Sequence, residues 1–375
     1  MKTLLFFIES LSGGGAEKVL VTLLRHIDYA RYNVALLTVC DVGPLKKELD
    51  FSKIKYRSII KNSNNVFYKW WNKIKYKLIY NILPAKAVNK LFIPQKGVDT
   101  YIAFTEGYCT KILAHSPKNA KKIAWVHIDL KAMPWTLNEG IYKDINEERK
   151  TYEDFHNIVC VSRSVEEIMY EHYALKNVLT IYNPIDTKNI IEQSKTHKNF
   201  SIYKDGINII SIGRLVPQKG YDLLIPIIAR LRNEGTDVNL YILGDGAEKS
   251  NLERIIQKHG CEKSVHLLGF LDNPYSILSE MDLFVCSSRS EGYSLVIAEA
   301  LTLGIPVIST YCSGPNELLA NGEFGELCND YEELYSAIKR AATERDYYTE
   351  LKNKAAKRKG FFNIEETIEE IERIL

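Results

Sequence analysis

A chain of 375 residues exceeds the size at which one hydrophobic core usually stops growing, so two domains of ordinary size are the default. Hydrophobic residues make up 46% and charged residues 26%, which excludes a disordered or fibrous chain, while the total charge of +2 hides a strong local asymmetry. Seven cysteines carry no C-x-x-C pair, which reads as free thiols in a reducing cytosol, and no apolar stretch reaches the roughly 18 residues a membrane-spanning helix needs.

The first apolar run stops at Glu9 after five residues, too short for the core of a signal peptide, and reads as a buried strand. Ser12-Gly13-Gly14-Gly15-Ala16-Glu17 follows, and Ala16, Val19, Leu20, Leu23, Leu24 and Ile27 then recur at helical spacing. A second strand at residues 34–39 completes a β-α-β unit, and the runs at 100–104, 123–127 and 157–161 read as further parallel strands. The N-terminal half is therefore expected to be a doubly wound α/β domain.

The pattern breaks at Tyr182-Asn183-Pro184-Ile185-Asp186, and a polar stretch leads to a fresh strand at residues 207–212. Helix 221–232, strand 238–243, helix 249–258 and strand 265–268 then alternate, and strands 283–286 and 306–310 bracket a helix that begins near Ser294. These signals place an N-terminal domain at 1–185 and a C-terminal domain at 186–361. Ile364, Ile368, Ile371 and Leu375 mark a closing amphipathic helix, 362–375, expected to pack back on the first domain. Two such sheets would leave a cleft at the carboxyl ends of their strands, the usual ligand site of open α/β folds.

Two strings carry chemistry. Arg289-Ser290-Glu291-Gly292-Tyr293-Ser294-Leu295-Val296-Ile297-Ala298-Glu299 follows a strand and opens a helix, with Ser294 as N-cap and Gly304 as its terminator. Glu291 and Glu299 could then accept hydrogen bonds from ligand hydroxyls, while the N–H groups of Ser294 and Leu295 receive a phosphate. An acid early in a helix also complements the dipole without any ligand. The second string, Ser211-Ile212-Gly213-Arg214-Leu215-Val216-Pro217-Gln218-Lys219-Gly220, again joins a strand to a helix. Breaking a glycosyl bond to a nucleoside diphosphate leaves negative charge on the departing phosphate, and the Asp-x-Asp motif that would hold a metal is missing from the sequence. Arg214 and Lys219, with a helix N-terminus, could supply that stabilisation instead; two surface cations on a loop are the plain alternative.

In order and spacing, Arg214 to Gly220 and Glu291 to Glu299 resemble glycosyltransferase family 4, an E-x7-E family of GT-B fold, with two Rossmann-like domains facing a central cleft. The resemblance extends to Ser12-to-Glu17, Trp125-Val126-His127, Leu243-Gly244-Asp245-Gly246 and Gly304-Ile305-Pro306-Val307-Ile308, and so spans nearly the whole chain. It implies that Arg214 and Lys219 grip the donor diphosphate, Glu299 the donor ribose and Glu291 the donor sugar. It also implies that Gly14 and Gly15 approach the diphosphate and acceptor, and that Gly244, Gly246, Gly269 and Phe270 hold the base. His127 resembles the histidine that hydrogen-bonds the transferred sugar; a structural histidine is the alternative. Some relatives carry Pro where this chain has Tyr293-Ser294, which leaves the donor-sugar contacts open.

Residues 51–98 contain no Asp or Glu but eleven Lys or Arg, interleaved with Phe67, Tyr68, Trp70, Trp71, Tyr76, Tyr80 and Phe92. Cations and interfacial aromatics of this kind suit an anionic membrane surface, against the alternative of a solvated basic helix or loop. Nucleic acid is not an expected partner, since no recognised motif accompanies the charge.

The implied activity is that of a retaining, metal-independent glycosyltransferase, a hexosyl- or N-acetylhexosaminyltransferase. It would move a sugar from a nucleotide-diphosphate donor, with UDP the family-level expectation, to a lipid-linked or cell-surface glycan such as lipopolysaccharide or capsule. The nucleotide-sugar is a substrate, no cofactor or metal is required, and the expected location is cytoplasmic, peripheral on the inner face of the membrane. A sugar-nucleotide epimerase would consume donor without acceptor. A noncatalytic GT-B protein that binds a glycan or partner is the remaining alternative, against which the joint presence of Arg214, Lys219, Glu291 and Glu299 argues.

Overall fold

The computed structural model describes residues 1–62, 65–196 and 206–375, with only the backbone of 66–69. The chain divides into two compact units, Met1–Pro184 with Glu365–Leu375, and Ile185–Ile364.

The first unit is a seven-stranded sheet with the order β3-β2-β1-β4-β5-β6-β7. Its strands are β1 (Lys2–Ile8), β2 (Tyr32–Cys40), β3 (Ile54–Ile60), β4 (Thr100–Ala103), β5 (Lys121–Val126), β6 (Asn157–Cys160) and β7 (Val178–Thr180), and every pairing is parallel. Leu4, Leu5, Phe6, Phe7 and Ile8 are all buried, as a strand covered on both faces requires. The second unit has the order β10-β9-β8-β11-β12-β13, again parallel throughout. It comprises β8 (Ile207–Ile212), β9 (Val238–Leu243), β10 (Val265–Gly269), β11 (Leu283–Cys286), β12 (Val307–Thr310) and β13 (Glu326–Cys328).

Both orders reverse direction once, between β1 and β4 in the first unit and between β8 and β11 in the second. At such a switch point the loops leaving two neighbouring strands diverge to opposite faces and open a crevice. The two chemistry-bearing strings are the loops after β8 and β11, so the second unit's topology makes neighbours of segments far apart in sequence.

Ser294 holds the N-cap position of the Leu295–Leu303 helix, but its side chain makes no capping hydrogen bond. Gly304 ends that helix in the left-handed conformation. The sequence reading did not find β3, β7 and β13, the short or outer strands of their sheets. Within the basic segment, Tyr80 and Phe92 pack against the hydrophobic core and not into solvent, whereas Trp70, Trp71 and Tyr76 are exposed. The side chains of Phe67, Tyr68 and Lys69 lie outside the described residues. Lys55 and Arg57 are exposed on β3, an edge strand, where charge also discourages edge-to-edge pairing.

The closing helix, Ile364–Ile374, belongs to the first unit except for its first residue. Ile364, Ile368, Ile371 and Leu375 are buried, Glu372 accepts hydrogen bonds from Arg31 and the Asp28 N–H, and the Thr100 hydroxyl donates to the Leu375 carbonyl. Ile371→Ala should therefore destabilise the first unit by about 2–4 kcal/mol. Denaturant unfolding would measure this, and a midpoint equal to wild type would refute the packing role of this helix.

Candidate functional site

In the second unit, the loop after β8 turns through a short 3-10 segment, Pro217–Lys219, and Gly220 then adopts φ +66 to start the Tyr221–Asn233 helix. A side chain at Gly220 would overlap the Ser287 carbonyl, so glycine both permits the left-handed backbone and lets the two loops touch. The Ser287 hydroxyl donates to the Lys219 carbonyl at 2.8 Å. This close approach brings the Lys219 Nζ to 2.5 Å from Glu291 Oε1, which also accepts from the Ser288 hydroxyl at 2.7 Å. Among the described residues Glu291 Oε2 receives no hydrogen bond, so one carboxylate oxygen is committed and the other is available to a ligand.

Glu291 is 7% exposed and the Lys219 side chain 18%, so the pair is largely withdrawn from water. Burial opposes the Lys219 charge, but the adjacent Glu291 carboxylate outweighs it and holds the lysine above its usual pKa. Lys219 is thus a fixed ammonium. Arg214 differs: it is exposed and forms no ion pair with a described residue. Of the two expected cations, Lys219 is thus held in a buried pair and Arg214 projects from its loop.

The backbone below Arg214 is nevertheless tightly held. Leu215 N–H donates to the Asp245 carbonyl at 3.0 Å, and Gly244 N–H to the Gly269 carbonyl at 2.8 Å, which stitches together the loops after β8, β9 and β10. A side chain at Gly244 would meet the Gly213 carbonyl and one at Gly246 the Leu215 backbone, so both glycines are needed for chain approach. Phe270, just beyond β10, is 49% exposed.

At the start of the Leu295–Leu303 helix, the Ser294 hydroxyl is buried with no hydrogen-bond partner in the described structure, and the Ser294 and Leu295 N–H groups donate to no described residue. A buried unpartnered hydroxyl beside free first-turn amides is a ready cradle for an anion. Glu299 is deeper: it is buried, lies beyond the first turn, and accepts from the Tyr275 hydroxyl at 3.2 Å. Complementing the dipole therefore does not explain it.

Sequence reasoning missed the supports. Gly314 N–H and the Ser313 hydroxyl both donate to the Glu291 carbonyl, at 3.1 and 3.2 Å, and a side chain at Gly314 would strike Gly292. The Ser313-Gly314-Pro315 run after β12 was the available signal. Ser288, by contrast, has no distinguishing pattern in the sequence.

In the first unit, Gly14 is the N-cap of the Gly15–His26 helix, and a side chain there would collide with the Glu17 carboxylate. The space a side chain at Gly14 would need is occupied by the end of the Glu17 side chain of this same helix. Glu9, at the end of β1, is pushed up to about 7 by burial and by Glu106 and Glu17. Gly15 is exposed at the helix start.

His127 follows β5, and its N–H donates to Glu106 Oε2 at 3.0 Å. Its Nε2 lies 2.9 Å from the Phe104 carbonyl, and a carbonyl can only accept, so Nε2 carries the proton and Nδ1 is left as an acceptor. Burial drives the imidazole pKa down to about 4, opposed by the bond to Phe104. The ring is neutral at pH 7 and suited to accept from a hydroxyl, not to donate a proton from Nδ1.

Residues 13–189 match the family model described as Glycosyltransferase Family 4, and residues 192–358 match Glycosyl transferases group 1. An uncharacterised glycosyltransferase of Methanocaldococcus jannaschii is 35% identical over 54% of this chain, but the match spans only 51% of that protein. A Campylobacter jejuni enzyme, N-acetylgalactosamine-N,N'-diacetylbacillosaminyl-diphospho-undecaprenol 4-alpha-N-acetylgalactosaminyltransferase, is 28% identical over 97% of this chain and 96% of its own length. Among solved structures, HepE of Anabaena in complex with UDP and glucose aligns over 100% of this chain and 99% of that chain, with a TM-score of 0.75 at 18% identity, which shows the fold. Two parallel-sheet Rossmann-like units with these matches define a glycosyltransferase of GT-B fold. The two family models together cover nearly all of the sequence, and the chain belongs to glycosyltransferase family 4.

With a folded pKa near 4 against an ordinary value of 6.5, His127 binds a proton more readily in the unfolded chain. Its contribution is fully present above about pH 6.5 and is lost as pH falls through about 4. NMR titration should find His127 neutral across pH 5–8; a midpoint near 6.5 would contradict the burial argument.

Proposed function

We propose that this glycosyltransferase moves a sugar from a UDP-sugar to a lipid-linked or cell-surface glycan with retention of configuration and without a metal. The observation that carries the reading is the buried Lys219–Glu291 pair, with one open carboxylate oxygen, in the same unit as a helix start that holds a buried unpartnered hydroxyl. In this scheme the bond from the sugar's anomeric carbon to the diphosphate breaks, and its electron pair goes to the leaving oxygen. Lys219, Arg214 and the Ser294 and Leu295 amides meet that charge. The acceptor hydroxyl forms the new bond on the face the diphosphate leaves, and its proton passes to the departing phosphate. Glu291 Oε2 holds a donor-sugar hydroxyl, Glu299 the ribose and Phe270 the base, while Gly14, Gly15 and the neutral His127 serve from the first unit.

The UDP named for HepE supports the choice of base, and the diphospho-undecaprenol named for the Campylobacter enzyme supports a lipid-linked acceptor. Lys219→Ala and Glu291→Ala should each lower transfer by roughly 100-fold or more in buffer containing EDTA while the protein stays folded. Near wild-type turnover in either variant would overturn the assignment, and abolition of wild-type turnover by EDTA would overturn metal independence.

The same reading places the first unit on the anionic inner face of the membrane. No helix among the described residues is long and apolar enough to cross a bilayer. The Val66–Lys77 helix instead exposes Trp70, Trp71 and Tyr76, with Lys75 and Lys77 in its last turn, and Leu78, Ile82 and Leu91 are exposed after it. Apolar rings among cations suit the headgroup layer, each cation contributing about 1 kcal/mol near the surface. The protein should float with phosphatidylglycerol vesicles and not with phosphatidylcholine ones, and Trp70→Ala with Trp71→Ala should weaken flotation. Equal recovery from both vesicle types would refute electrostatic docking.

A further inference from the structure

The loops that carry Lys219 and Glu291 are joined by a second, outer ion pair. Arg289 Nη1 and Nη2 reach Asp222 Oδ1 and Oδ2 at 2.9 and 2.8 Å, a two-bond fork, and Nη1 also donates to the Pro217 carbonyl. The Arg289 N–H donates to the Gln218 carbonyl at 2.7 Å, and Gln218 Nε2 returns a bond to the Ser290 carbonyl at 2.8 Å. Asp222 is in the first turn of the helix that follows Lys219, and Arg289 lies two residues before Glu291. The fork thus brackets both members of the inner pair.

The Arg289 side chain is 39% exposed and that of Asp222 33%, and ion pairs this wet add little to global stability. A planar guanidinium bonded twice to one carboxylate does fix direction and distance, which a single contact cannot. Arg289 is also turned away from any ligand role, since Asp222 and the Pro217 carbonyl occupy its fork, whereas Arg214 is left projecting.

We propose that Arg289 and Asp222 are a positioning couple: their fork sets the separation of the loop bearing Lys219 from the loop bearing Glu291, and so the geometry of the inner pair. The catalytic part of this inference rests on the donor-site reading of Lys219 and Glu291; the mechanical part does not. Neither residue touches the reacting atoms, and both act through Lys219 and Glu291. Asp222 is held below the usual carboxylate range chiefly by the Arg289 hydrogen bonds, so the fork persists across the neutral range.

The test uses the full chain with Asp222→Asn, Arg289→Lys and the charge-reversed double variant Asp222→Arg with Arg289→Asp. Hydrogen–deuterium exchange is read over residues 214–220 and 287–294, and kcat and KM are read with a UDP-sugar. Each single variant should speed exchange in both loops by roughly tenfold and leave the strands unchanged. It should also lower kcat by about 10- to 100-fold while KM moves less than about threefold, as misplacement of a bound reactant predicts. The double variant should recover part of both losses. Unaltered exchange in either loop, or faster exchange throughout the second unit, would overturn the proposal. Exchange reports the couple whatever the substrate, so a wild-type chain with no turnover would defeat the transferase reading and leave this measurement decisive.

Discussion

An ammonium group taken out of water needs a compensating partner, and in the second unit Lys219 finds it in the Glu291 carboxylate. Lys219 and Glu291 are 72 residues apart in sequence, and their contact depends on adjacent strands β8 and β11 releasing loops at one switch point. Each support removes a way for the pair to separate. Gly220 lets the loops touch, Ser288 shares the carboxylate, and Ser313 and Gly314 hold the Glu291 backbone from a third strand end. Removing one partner would strand the other charge in a dry site, a larger penalty than the pair's own net worth. The arrangement is therefore all or nothing.

The strand and glycine signals of the sequence predicted most of the fold, for a physical reason. Strands buried on both faces must be continuously apolar, and β8, β9 and β11 occupy the residues that this pattern marks. β7 and β13 are three residues long, which leaves no period to read, and β3, seven residues at a sheet edge, keeps Lys55 and Arg57 exposed and so lacks a continuous apolar run. Arg214 and Lys219 were legible as cations, but not as one paired and one projecting. That distinction depends on which loop lies opposite, a property of strand order and not of local pattern. That Glu17 lies against the Gly14 position was hidden for a similar reason, since glycine signals room for approach and cannot say what lies nearby.

Charge in the first unit is segregated in a way the net value conceals. Glu9, Glu17 and Glu106 interact at the carboxyl end of the sheet, while residues 51–98 carry no acid at all. The Glu9 pKa near 7 means that this acidic end sheds part of its charge under neutral conditions. His127 contributes nothing to that change, because its depressed pKa leaves it neutral throughout.

The helix Ile364–Ile374 has a consequence for biosynthesis. It closes the core of a unit whose other strands all lie before Pro184, so the ribosome delivers the last piece of the first unit only after the whole second unit has emerged. Domains that fold vectorially usually complete in order of synthesis. Here the first unit must wait with an apolar groove uncovered, roughly 10 to 40 seconds at ordinary elongation rates. That interval exposes the nascent chain to chaperones, and it makes any premature stop within the final helix costly to the unit translated first.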